Sequence, residues 1–249
     1  MSHARLDLVA DPVGARDLVV IAHGGQEHSL DEPHDWRHAI LRMWPFAAAA
    51  GRAAPQAQVG LLRYRYRGWN GSRADAAADL LRVLTDVPPR IERVALVGHS
   101  MGGRAVMAAA DQPRVTGVLA LAPWLPAGEP VADLTACTVV LAHGDEDTIT
   151  DPSLTAAFAS RVRRSGVPVA FYTAEGAAHG LLQRHGDWDE LVRRFVRTAF
   201  ALDTDEPAWL TTSRDPDRGA DPLPAWTRRR SLLGAVGRVA ASRLVLRVR

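Results

Sequence analysis

Six short apolar runs, separated by stretches with helical spacing, constrain this chain more than any other feature. Leu18–Ala22 is continuous and ends at His23-Gly24-Gly25, and Gln58–Leu62 is weaker. Val94–Val97 stops at Gly98, and Val115–Leu121 follows it. Thr138–Ala142 stops at His143-Gly144, and Val167–Tyr172 is the last. Strands that are apolar on both faces belong in the middle of a parallel sheet covered by helices on each side. The intervening stretches fit that cover. Asp75–Leu84 has helical spacing and stops at Pro88-Pro89, and Met101–Ala110 is alanine-rich. Asp151-Pro152 reads as an N-cap followed by proline at the first helical position, opening a helix to about Arg164. Trp188–Phe200 places Leu191, Val192, Phe195, Val196 and Phe200 on one face. Repeated strand–helix alternation predicts an α/β fold, a doubly wound, mostly parallel sheet flanked by helices.

Composition sets the class and a boundary. No apolar run approaches the roughly 18 residues that a spanning helix needs. The opening MSHARLDLVADP lacks the apolar core of a signal peptide, and the expectation is a cytoplasmic protein. Cys137 is the single cysteine, which excludes an intrachain disulfide and a four-cysteine zinc site. At about Leu202 proline, aspartate and arginine take over, so the chain divides into a domain over 1–202 and a linker and basic tail over 203–249. Residues 228–249 hold seven arginines and no acid, leaving a mildly acidic body. Charge confined to a tail is weak evidence for nucleic acid, and no nucleic-acid partner is expected. Arginines interleaved with Leu232, Leu233, Val236, Val239 and Leu244 make an anionic membrane surface one expected contact of 228–249, against a tail that folds back on the body.

The chemistry is concentrated at Gly98-His99-Ser100-Met101-Gly102, a G-x-S-x-G between a strand and a helix. A serine on so sharp a turn needs small residues two places before and after it. The turn lifts the serine oxygen to a helix N-terminus, where the free N–H of Met101 can face an oxyanion. Ser–His–Asp chemistry also needs a base and an acid to orient it. Asp147, in His143-Gly144-Asp145-Glu146-Asp147, follows the fifth run, and His179, in Gly176-Ala177-Ala178-His179-Gly180, follows the sixth. Strand ends on one edge of a parallel sheet meet in space. Asp145 and Asp151 are rival acids, and Asp151 is better explained as a helix cap. His143 and His185 are rival bases, the first read as structural and the second as too far past its strand end. His34 and His38 form one i, i+4 pair, too little for a metal site, and no metal is expected.

On these motifs the chain resembles the α/β-hydrolase superfamily over about residues 15–202. The resemblance implies Ser100 as nucleophile, His179 as base and Asp147 as acid, with Asp145 shaping the loop. It implies a second oxyanion donor after the first central strand, the N–H of Gly25 with Gln26 as fallback. Arg67-Gly68-Trp69-Asn70-Gly71-Ser72 is similar to a second loop of the family. Cap domains there usually sit between the fourth and fifth runs. Here that gap is residues 122–137, too short for a helical lid, so the likeness is to small cap-less serine esterases and dienelactone-hydrolase-like proteins. The dienelactone enzymes use a cysteine nucleophile, from which Ser100 departs. Trp124 should border the pocket, with Gln26 a further substrate contact and Trp36 and Trp44 lining the other wall. The expectation is a serine hydrolase acting on a small-molecule carboxylic ester or thioester through an acyl-enzyme, with no cofactor. Acyl transfer, peptidase or carbon–carbon cleavage on the same triad is the alternative, as is a binding protein that kept the fold.

Overall fold

The computed structural model describes residues 3–34, 38–205 and 207–227. Trp36 and the tail 228–249, with its expected membrane contact, lie outside the described residues. All six apolar runs form strands: β2 (Asp17–Ala22), β3 (Gln58–Arg63), β4 (Arg93–His99), β5 (Val115–Leu121), β6 (Thr138–Gly144) and β7 (Val169–Ala174). They pair in parallel, and two edge strands complete an eight-stranded sheet. β1 (Arg5–Ala10) lies antiparallel on β3, and β8 (Asp221–Pro222) lies parallel on β7. The order is β1-β3-β2-β4-β5-β6-β7-β8.

The period of two in the strands divides their side chains between two apolar layers. Val19, Ile21, Val97, Leu119, Val140 and Tyr172 face one layer. Helices α2 (Met43–Ala53) and α6 (His185–Ala199) cover it, with Phe46, Trp188 and Phe195 fully buried. Leu18, Val20, Leu96, Val118, Leu141 and Phe171 face the other. That layer is closed by α3 (Asp75–Thr85), α4 (Met101–Ala108) and α5 (Pro152–Arg164). A short helix, α1 (His38–Leu41), precedes α2. Asp151 caps α5 by accepting the Ser153 N–H at 2.8 Å. Residues 122–137 carry neither helix nor strand, so no sizeable cap covers the sheet edge.

The boundary expected at Leu202 is corrected. From Pro207 the chain returns along β7: Val169 and Ser213 exchange backbone hydrogen bonds at 2.9 and 3.1 Å. The Tyr172 hydroxyl donates to the Trp209 carbonyl, and Leu223 N–H to the Thr173 carbonyl at 2.8 Å. Thr227 donates to Asp187 on α6 at 2.8 Å. Trp209 and Leu223 are buried in the first apolar layer. A segment without periodicity thus packs through scattered apolar side chains, Trp209, Leu210, Leu223 and Trp226, and its own backbone.

Candidate active site

Because β2 and β4 through β7 run in parallel, the loops that follow them share one edge of the sheet. Ser100 sits between β4 and α4 with φ 58° and ψ −120°, a conformation that costs a non-glycine residue about 1–3 kcal/mol. Its surroundings hold it there. Ser100 N–H donates to the Leu121 carbonyl at 3.1 Å, and its own carbonyl accepts from Arg104 at 3.2 Å and Trp124 at 3.1 Å. The flanking glycines are needed on steric grounds. A Cβ on Gly98 would strike the Gly102 carbonyl, and one on Gly102 the Ala22 carbonyl. One on Gly103 would come within 2.8 Å of the Pro123 Cβ.

Asp147 and His179 meet at the neighbouring strand ends. His179 Nδ1 lies 2.8 Å from Asp147 Oδ2. The acid is held by several other groups. Its Oδ1 accepts the N–H groups of Ile149 at 2.8 Å and Thr150 at 3.0 Å. Its Oδ2 also accepts the Thr150 hydroxyl at 2.9 Å and faces His143 Nε2 at 3.0 Å. Burial alone would raise the Asp147 carboxyl. The N–H of Thr150, the His179 ring and the N–H of Ile149 outweigh it and hold the group down at about 2. Asp145 accepts the Gly176 N–H at 2.7 Å and so ties the acid loop to the histidine loop. Gly144 lies so close to that loop that a Cβ would strike the Ala177 carbonyl. His185 opens α6 and is buried there.

His99, next to Ser100, links the serine turn to the histidine loop. Its Nε2 lies 3.0 Å from the His179 carbonyl, and the two rings are tilted with centroids 4.8 Å apart. Burial, then the charge of Arg42, then His179 push its proton affinity well below the usual histidine range, so the ring is neutral. A neutral Nε2–H donor to that carbonyl fixes the tautomer.

Gly24 brings the loop after β2 against the serine: a Cβ there would lie 3.2 Å from Ser100 Cβ. A Cβ on Gly25 would strike both the Arg67 carbonyl and the Met101 side chain. Gln26 is corrected as a donor. Its N–H is committed to the Arg67 carbonyl at 2.8 Å. Gln26 still lines a cleft of about 490 Å³ with Gly24, Gly25, His38, Ile40 and Arg67. The Arg67–Ser72 loop acts as its template. Trp69 N–H donates to the Gln26 carbonyl at 2.9 Å, Gly68 N–H to Ser29 at 3.0 Å and Arg67 N–H to Asp31 at 2.8 Å.

Trp124 is half-buried beside the serine turn. The Arg104 guanidinium lies 3.8 Å from the Trp69 ring centroid and 4.7 Å from that of Trp124. Glu129 neutralises Arg104 at 2.6 Å. Trp44 is buried in the first apolar layer. The thiol of Cys137 donates to the Ala110 carbonyl at 3.2 Å, and burial pushes it up to about 11, which makes it a poor nucleophile.

The sequence profile of the dienelactone hydrolase family matches residues 55–210, which include Ser100, Asp147 and His179. No curated protein matches the chain by sequence. Among solved structures, an alpha-beta serine hydrolase homologue from Coxiella burnetii is similar, with a TM-score of 0.52 and 23% identity over 75% of this chain and 88% of that one. Est1E from Butyrivibrio proteoclasticus has a TM-score of 0.54 and 18% identity over 80% and 94%. Esterase PE8 has a TM-score of 0.57 and 18% identity over 78% and 99%. At these identities the likeness is one of fold.

Proposed function

The chain belongs to the dienelactone hydrolase family, and within it we propose a serine hydrolase that cleaves a carboxylic ester or thioester through an acyl-enzyme. The observation that carries the reading is the 2.8 Å contact between His179 Nδ1 and Asp147 Oδ2, on the sheet edge that also presents Ser100 at positive φ. With Nδ1 engaged by the acid, Nε2 is the nitrogen left to take the proton from Ser100 Oγ as that oxygen attacks the carbonyl. Asp147 stays ionised and stabilises the imidazolium. The N–H groups of Met101 and Gly25 face the developing oxyanion, each worth roughly 3 kcal/mol of transition-state stabilisation. His179 then returns the proton to the leaving group, and water repeats the sequence to release the acid.

The test is covalent. A fluorophosphonate probe should label Ser100, and Ser100→Ala should abolish both labelling and ester turnover while remaining folded. Near-wild-type hydrolysis by that variant would remove Ser100 from the mechanism. On p-nitrophenyl esters from acetyl to palmitoyl, short chains should be preferred, because an uncapped cleft buries little acyl surface at about 25 cal/mol per Å².

A further inference from the structure

Asp147 is held from its far side by a second histidine. His143, near the end of β6, points Nε2 at Asp147 Oδ2 (3.0 Å) and at the Thr150 carbonyl (3.2 Å). Its Nδ1 lies 2.9 Å from Thr155 Oγ1 on α5. His143, Thr155 and Asp147 are all buried. The carboxylate and the carbonyl are acceptors, so Nε2 carries the proton. Nδ1 is then a lone pair, and the Thr155 hydroxyl donates to it. Burial lowers the ring's proton affinity more than the neighbouring carboxylate raises it, so His143 serves as a neutral donor. A continuous chain results: Thr155, His143, Asp147, His179.

We infer that His143, its tautomer locked by Thr155, is a positioning residue that fixes the Asp147 carboxylate and sets how strongly that carboxylate draws a proton to His179. The inference rests on the Ser100–His179–Asp147 reading. A donor on Oδ2 withdraws charge from the oxygen that faces His179. Without it the carboxylate is freer to rotate and more basic, which favours the imidazolium before substrate binds. The other groups facing this pair are few. His99, neutral, reaches the His179 carbonyl from the end of β4. Arg42, at the start of α2, places Nη2 3.8 Å from where a Gly180 Cβ would lie. Asp151 faces His143 from the α5 cap. The Thr150 hydroxyl lies 3.1 Å from His179 Nδ1.

The experiment is a pH–rate series on the full chain with p-nitrophenyl acetate, comparing wild type with His143→Phe, His143→Gln and Thr155→Val. In His143→Phe, kcat should fall roughly tenfold or more, the loss expected of one charge-assisted hydrogen bond, with KM little changed. The acidic limb of kcat/KM, which reports protonation of the base, should move to higher pH by about half a unit or more. His143→Gln restores an N–H near Nε2 and should recover most of both. Thr155→Val should shift the limb the same way by less. An acidic limb that superimposes on wild type in folded His143→Phe overturns the inference, as does an effect confined to KM. Should His143→Phe fail to fold, Thr155→Val decides, and an unmoved limb there overturns it. Wild type that neither turns over ester nor takes the fluorophosphonate label overturns the triad reading and this inference together. Wild type that does both, with unmoved limbs in the variants, overturns this inference alone.

Discussion

His23, at the start of the loop that carries Gly24 and Gly25, makes acid stability a quantitative test of the structure. Its ring is buried, edge-on to Tyr64 with centroids 4.7 Å apart, and its Nδ1 donates to the Gly24 carbonyl at 2.7 Å. Nε2 is buried without a hydrogen-bond partner among the described residues. Burial lowers the group to about 4; the Gly24 contact opposes that and the Arg63 charge adds to it. Unfolded, a histidine titrates near 6.5. Between those values the unfolded chain binds a proton that the folded chain refuses, so stability is complete above about 6.5 and falls as pH drops toward 4. A shift from 6.5 to about 4 corresponds to roughly 3 kcal/mol, a large share of the 5–15 kcal/mol typical of a domain. His23→Asn keeps an N–H for the Gly24 carbonyl and removes the titration. Urea unfolding of both proteins from pH 8 to 4.5 should give a difference in ΔG that is flat above pH 7. Below it, wild type should lose stability relative to the variant by up to about 3 kcal/mol. A difference that does not change with pH would refute the buried, neutral His23 on which the loop is built.

Asp147→Asn should cost about 10⁴-fold in turnover, the loss expected when a triad acid loses its charge, whereas Asp145→Asn should cost far less because its carboxylate serves one loop N–H; reversed effects in steady-state kinetics would reassign the acid. A chain ending at Leu202 loses buried Trp209 and Leu223 and the bonds to Tyr172 and Thr173. At about 3 kcal/mol or more for each large apolar side chain, it should be unfolded or insoluble, while one ending at Thr227 keeps a cooperative melt; equal melting of the two would show that 203–227 adds nothing. Gly102→Ala pushes a methyl into the Ala22 carbonyl and should lower stability by about 1–3 kcal/mol, visible as a lower Tm; an unchanged Tm would contradict the close packing of the serine turn.

The central strands were legible because their physics is local. A strand buried on both faces is a continuous apolar run, and all six runs form strands. The elements missed by the sequence reading lack that signature. β1 alternates charged and apolar residues and earns its place by pairing with β3 across the sheet. β8 has two residues, one of them proline, and exists because Arg184 and Thr173 bind the chain around it. α2 begins Met43-Trp44-Pro45, and its proline reads as a breaker until it is placed in the first turn, where no N–H is required.

The site divides along the same line. The serine turn is recognisable within five residues, although only Gly98 is demanded by a contact inside the turn, with Gly102, whereas Gly102 is demanded by the Ala22 carbonyl at the end of β2. The choice between Asp147 and Asp145 is also local once the loop is drawn. Residue 147 turns back to accept Ile149 and Thr150 N–H groups, and residue 145 points at the next loop. The support of the site is a different matter. His99 bonds to a carbonyl 80 residues away, and Asn70 fixes Ser29 across 41. Neither pairing leaves a periodicity or a spacing to read. His143 lies between these cases: its position four residues before the acid is visible, but its role depends on Thr155 reaching it from α5. A histidine beside an acid is ambiguous until the partner of its second nitrogen is known, because that partner decides which nitrogen carries the proton. For His143 that partner is a hydroxyl, which can donate to Nδ1 and leave Nε2–H for the acid. A carbonyl in the same place would have turned the proton away from Asp147 and left Oδ2 facing a lone pair.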